Sequence, residues 1–198
     1  MCPSKIAGNE TMLLPVIATV IFAVTFVAEK IMLWGHRATS KENWDKSSLW
    51  VFDISGLLSV PVGIFLGYTS IGRIHAAYTF ISLSGIVLML LGTTLRWIAI
   101  FTLKDYFTVN VTIFEDHQIV DHGLYKYLRH PSYSGLLVRY LGFGLAFGNW
   151  LSALCIFTPL FGAVLYRIHV EEIALNQALG RQYAEYSKTT RRLIPKIY

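Results

Sequence analysis

Long apolar runs separated by short polar ones dominate this chain, and the lengths of those runs set the class of protein. Met12 to Ala28 is apolar except for Pro15, Thr19 and Thr25, and it closes on Glu29 and Lys30. Leu49 to Tyr68 and Ala76 to Leu95 repeat the pattern. Each approaches the ~20 residues a helix needs to cross about 30 Å of hydrocarbon. Gly35 to Ser48 reads as a polar loop, and Thr69 to Arg73 as a short link. Further on, Ser134 to Phe147 falls short of that length, Gly148 and Asn149 make a turn, and Leu151 to Ile168 returns. These last two runs are expected to form a tight helical hairpin whose first arm is lengthened by Pro131 to Tyr133. The pattern predicts an all-α integral membrane protein with about five transmembrane helices. A cleaved secretory signal fits the first run poorly, because Phe26 before Ala28 is not a small-residue cleavage pattern.

Two segments break the alternation. Arg96 to Phe114 interleaves Trp97, Phe101, Tyr106 and Phe107 with Arg96 and Lys104, which suits a segment lying along the membrane interface. Glu115 to Ser132 is the longest strongly polar insert. The expected organisation is therefore one membrane-embedded domain over 1–198. Residues 1–104 form a three-helix part, and 105–198 form a binding part with the hairpin and a helical tail.

Composition agrees with the bilayer as solvent: 54% of the 198 residues are hydrophobic and only 15% charged. The net charge of +5 raises nucleic acid as a partner, but basic residues in so apolar a chain mark cytoplasmic loops instead. Counting them places Lys30, Arg37, Lys41 and Lys46 after the first helix, and Arg96, Lys104, Lys126 and Arg129 after the third. Arg167, Arg181, Lys188, Arg191, Arg192 and Lys196 follow the last, against Lys5 and Arg73 on the other side. The insert and the tail then share the cytoplasmic face and can build one site. Cys2 and Cys155 form no spaced pair, so neither a disulfide nor a cysteine metal site is expected.

The candidate chemistry starts in HGLYKYLRHPSYSG, His122 to Gly135. A turn at Gly123 precedes Tyr125, Lys126, Tyr127, Arg129 and His130, and Pro131 suits the first position of a helix because its missing N–H would have no partner there. The amides and dipole of that helix start would face an anion beside His130, Ser132 and Tyr133. Downstream, RIHVEEIALNQALGRQYAEY places Arg167 and Glu171 four apart on one helix face as the chain leaves lipid. Alone, this is either a snorkelling arginine with a helical salt bridge or a functional pair of opposite charges. Glu172 points elsewhere on the helix and is expected to be solvated. His117, His122 and His130 fit no zinc spacing, so no metal is expected. GFGLAFG, Gly142 to Gly148, has the look of a dinucleotide loop, but it lies within an apolar span with no strand before it, and helix contact explains it better. Asp53 and Arg139 are charges inside predicted spans; Asp53 sits near a helix end, and Arg139 faces either the site or the bundle.

Taken together, GLYKYLRHPSYSG, RIHVEEIAL and LGRQYAEY resemble the isoprenylcysteine carboxyl methyltransferase family of membrane enzymes over roughly residues 105–195. The first three helices are similar to it only in hydropathy. The resemblance implies transfer of the methyl group of S-adenosylmethionine to the carboxylate of a C-terminal prenylated cysteine, with S-adenosylhomocysteine as the other product. It implies cofactor contacts at Asn110, His117, Gln118, Ile119, Val120, Tyr125, His130, Pro131, Ser132, Tyr133 and Glu171, and a substrate-side arginine at Arg167. The lipidated cysteine would arrive through the bilayer, with no obligate protein partner. The active site would face the cytoplasm, at the plasma membrane of a prokaryote or the endoplasmic reticulum of a eukaryote. Rival readings are an NADPH-dependent sterol-type reductase, which shares an RHP-aromatic-G segment, a methyltransferase acting on a lipid amine, and a membrane protein without catalysis.

Overall fold

The computed structural model describes residues 3–34, 47–104, 107 and 119–195. Its helices are α1 (Pro3–Met32), α2 (Ser48–Gly67), α3 (Tyr78–Leu103), α4 (Pro131–Leu145), α5 (Trp150–Leu179) and α6 (Arg181–Thr189), with a 3-10 turn at Gly123–Lys126 before α4. No strand forms among the described residues. Leu13–Met32, Ser48–Gly67, Tyr78–Leu103 and Trp150–Leu179 are each long and apolar enough to cross a membrane. α4, at 15 residues, is the short fifth member.

Glycines fix how α4 lies. It runs antiparallel to α3 with the two backbones in contact, because a Cβ at Gly135 would stand 2.7 Å from the Gly92 carbonyl oxygen, and one at Gly142 would stand 2.6 Å from that of Gly85. Small residues at these spacings are the means by which membrane helices approach closely without a hydrophobic driving force. The expectation that GFGLAFG serves helix contact therefore holds. α2 meets α5 in the same way: a Cβ on Gly63 would strike Ile156 at 2.7 Å, and Ser152 donates its hydroxyl proton to the Gly63 carbonyl at 2.7 Å.

The hairpin between α4 and α5 is as expected. Gly148 takes the left-handed conformation (φ 59°), and Asn149 caps α5 by accepting from the Leu151 and Ser152 amides at 2.9 and 3.1 Å. The same side chain donates to the Leu66 and Ile71 carbonyls at 3.0 and 2.8 Å, tying the α2–α3 link to the hairpin tip. Phe22 of α1 stacks on Phe143 of α4 with centroids 4.1 Å apart, bringing α1 into the core.

One expectation is corrected. Arg96 to Leu103 does not leave the bundle to lie along the interface; it continues α3 for two more turns, and Arg96 is buried. The cause is electrostatic. Arg96 Nε donates to Glu29 at 2.9 Å, and Arg139 Nη1 donates to the other oxygen of the same carboxylate at 2.6 Å, so both guanidiniums are paired with one carboxylate within the bundle. Arg139 thus faces the bundle, with its guanidinium over Phe22 and Tyr140. α5 continues past the apolar run that ends at Ile168, to Leu179, and so carries Arg167 and Glu171 on one helix as the sequence implied. Asp53 is exposed.

Candidate active site

The end of the bundle that carries Glu29, Arg96 and Ser48 also carries the polar insert and the tail. Gly123 turns the chain with φ 61°, and the 3-10 turn buries Tyr125. From Tyr127 the chain pairs with the tail: the Arg129 and His130 amides donate to the carbonyls of Arg191 and Arg192 at 2.7 and 3.1 Å, and the Arg191 amide donates to Tyr127 at 3.1 Å. Tyr186 of α6 donates to the Tyr125 carbonyl at 2.7 Å, and Ser134 donates to that of Leu193 at 2.6 Å. The tail thereby holds the insert against the start of α4, which begins on Pro131 as the sequence implied.

Three side chains from α4 and α5 then form one line. The Tyr133 hydroxyl donates to Glu171 Oε2 at 2.9 Å and accepts from Arg167 Nε at 2.9 Å. Arg167 extends the line to α2 by donating from Nη1 to the Ser48 hydroxyl at 3.1 Å. Environment separates the two charges. Arg167 is 5% exposed, while the Glu171 side chain is 29% exposed and stays reachable from water. The His130 ring lies 5.7 Å from that of Tyr133, and its Nδ1 is 3.9 Å from Glu171 Oε1. Tyr125 belongs to the same neighbourhood: burial pushes its hydroxyl well above its ordinary value, and the charge of Glu171 adds to the rise.

Glu172 corrects the expectation of a solvated residue. It is buried, accepting from Arg129 Nε at 2.9 Å and from Arg192 at 2.7 and 2.9 Å, with His130 Nε2 at 3.5 Å. Helical periodicity does separate it from Arg167 and Glu171, but the face it occupies is covered by the insert and tail rather than by water. The signal available in the sequence was the surplus of arginine at 129, 191 and 192, which needs a carboxylate. A second correction concerns the start of α4. The Tyr133 and Ser134 amides both donate to the His130 carbonyl at 3.1 Å, so these two are not free for an anion.

Of the residues singled out in the sequence, Tyr125, His130, Pro131, Ser132, Tyr133, Arg167 and Glu171 gather at this end, and Pro131 and Ser132 are buried. Ile119 and Val120 lie half-buried just ahead of the Gly123 turn. Asn110, His117 and Gln118 fall outside the described residues. No cluster of three or more metal-ligating side chains occurs among the described residues. Ser48 is a residue that sequence reasoning missed; no periodicity marks a serine at a helix start as the partner of an arginine over a hundred positions away.

Helices of membrane-crossing length, closed at one end by a polar insert, a helix start and a late charged helix, define an integral membrane protein whose described candidate side chains gather at that end. Comparison with known proteins shows which family it is similar to. The model of the isoprenylcysteine carboxyl methyltransferase family matches residues 85–177. A probable protein-S-isoprenylcysteine O-methyltransferase of rice (Oryza sativa subsp. indica) is 35% identical over 122 residues, which are 61% of this chain and 64% of that protein. The human protein-S-isoprenylcysteine O-methyltransferase is 29% identical over 121 residues, covering 60% of this chain and 43% of its own. The solved eukaryotic intramembrane Ras methyltransferase, an isoprenylcysteine carboxyl methyltransferase, superposes with a TM-score of 0.55 at 26% identity over 77% of this chain and 53% of that one. Residues 85–177, just under half of the chain, thus match the isoprenylcysteine carboxyl methyltransferase family. It spans just under two thirds of the rice relative's length. The match begins inside α3 and stops before α6, so α1, α2 and the tail lie outside it.

Proposed function

We propose that this protein transfers the methyl group of S-adenosylmethionine to the carboxylate of a C-terminal prenylated cysteine, forming a methyl ester at the cytoplasmic surface of the membrane. The observation that carries this reading is the Arg167–Tyr133–Glu171 line, with 2.9 Å at each joint. One phenol links a buried cation suited to a greasy acid with a half-open anion suited to an ammonium.

The residues present fit the cofactor. Glu171, reachable from water, would pair with its ammonium, and Tyr125, His130 and Tyr133 would frame its adenine. With two α4 amides occupied by His130, the cofactor carboxylate depends on other donors, for which Asn110, His117 and Gln118 are the candidates. When bound, the cofactor supplies a methyl group on a positively charged sulfur. Arg167 orients the acceptor carboxylate, whose reference pKa of about 3.5 leaves it ionised at neutral pH. No general base is then required, and neither His130 nor His117 is assigned as one. Passing that methyl to the carboxylate oxygen would leave the electron pair of the broken carbon–sulfur bond on sulfur and turn a cation and an anion into two neutral products. Exclusion of water by the surrounding helices favours such a step, and positioning supplies the rest.

Thermal protection tests the cofactor class, because a ligand that binds only the folded state raises the melting temperature by mass action. S-adenosylhomocysteine should protect and NADPH should not. Protection by NADPH alone would favour the reductase, and protection by neither would favour a protein without this catalysis.

A further inference from the structure

The geometry points to Arg96, held by Glu29, as a positioning residue that sets the first turn of α4 and so the affinity of the site for its cofactor. This inference rests on the methyl-transfer reading and adds to it a residue from α3 and one from α1. Arg96 uses two edges of its guanidinium: Nε donates to Glu29 Oε1 at 2.9 Å, and Nη1 donates to the Ser132 carbonyl at 3.2 Å. Ser132 stands between Pro131 and Tyr133, in the turn proposed to bind the cofactor.

Glu29 does not hold that turn alone. Its second oxygen accepts from Arg139 at 2.6 Å, and Arg139 lies seven residues, or two turns, after Ser132 on the same side of α4. One carboxylate from α1 therefore fixes α4 at two heights, at Ser132 through Arg96 and at Arg139 directly. Two fixed points on one face set the rotation of a helix about its axis, and that rotation aims Tyr133 at Arg167 and Glu171. All three charged side chains are buried, Arg139 to 1% exposure. Two guanidiniums share the one carboxylate, and Arg139 Nε is buried without a hydrogen-bond partner. A cluster built only to join helices would more cheaply be apolar. Glu29 lies outside the family match, so the arrangement is a contribution of this chain's N-terminal part to the matched residues 85–177.

Lysine at 96 keeps a cation beside Glu29 but cannot span two acceptors with a rigid planar fork. The test uses the purified full-length protein, measuring the Kd for S-adenosylhomocysteine by calorimetry, the melting temperature, and the KM for a farnesylcysteine acceptor. Arg96→Lys should raise the Kd about tenfold, ~1.4 kcal/mol, leave the melting temperature within a few degrees, and change the acceptor KM less than twofold. Glu29→Gln should raise the Kd further and lower the melting temperature; if it does not fold, Arg96→Lys decides alone. An Arg96→Lys protein that binds S-adenosylhomocysteine as wild type does would overturn the inference and leave the methyl-transfer reading standing. So would a loss of binding fully accounted for by a smaller folded fraction. A wild type that does not bind S-adenosylhomocysteine would sink both.

Discussion

Replacing Tyr133 by phenylalanine removes one oxygen and keeps the ring, so it isolates the joint between Arg167 and Glu171. Two hydrogen bonds to charged partners disappear, and each such bond contributes about 1.5–3 kcal/mol net. They are not equally costly here. Glu171 is 29% exposed, and water can replace the phenol at its carboxylate. Arg167 is 5% exposed, so water replaces the phenol at its Nε far less readily. The cost should therefore be that of one bond rather than two, about 1.5–3 kcal/mol, which is roughly a ten- to hundredfold fall in kcat/KM for the acceptor. The Kd for S-adenosylhomocysteine, tied to the half-open carboxylate, should rise less than about threefold. Steady-state transfer to farnesylcysteine, with calorimetric titration of the cofactor product, reads both. A Tyr133→Phe protein within twofold of wild type in acceptor kcat/KM, or one that loses cofactor affinity instead, would refute the reasoning.

Arg167→Ala should abolish transfer while leaving S-adenosylhomocysteine binding largely intact, and Glu171→Gln should weaken that binding; equal loss of both functions in either variant contradicts the division of roles. Glu172→Gln removes the carboxylate shared by Arg129 and Arg192. Because Arg192 is partly exposed, about 3 kcal/mol, the lower end for breaking a buried pair, is expected, seen as protease cleavage in residues 181–193 before the bundle melts. Gly142→Ala drives a Cβ into the α3 backbone and should cost about 1–3 kcal/mol of stability, read from chemical denaturation; an unchanged midpoint would mean the helices do not touch there. Burial pushes the Tyr186 hydroxyl up to about 12. A folded value above the unfolded one means a contribution that is complete below pH ~10 and lost as pH climbs from there towards 12. The melting temperature should fall over that window, and less steeply in Tyr186→Phe.

The spans, the hairpin turn and the Pro131 start were legible because each depends on local rules: apolar length, glycine at a left-handed turn, proline at a first helical position. Tyr133 beside Glu171 was reachable only through the family resemblance, since no periodicity relates α4 to the end of α5. Glu172, Arg96 and Ser48 were misread or missed for one shared reason. A charged or polar residue near a helix end looks solvated in one dimension, and only the tertiary structure supplies the arginine, carboxylate or carbonyl that lets it be buried. Arg139 illustrates the boundary: the sequence marked it as a charge within a span, and Glu29, 110 positions earlier, decides which way it faces.

The most direct test of the central claim is transfer of a labelled methyl group from S-adenosylmethionine to a farnesylated cysteine acceptor by the purified protein, with the product treated with base. The account predicts labelled methanol released from a base-labile ester, and none from Arg167→Ala. Label that stays on the acceptor through base, as on sulfur or an amine, or no label on the acceptor at all, would contradict it.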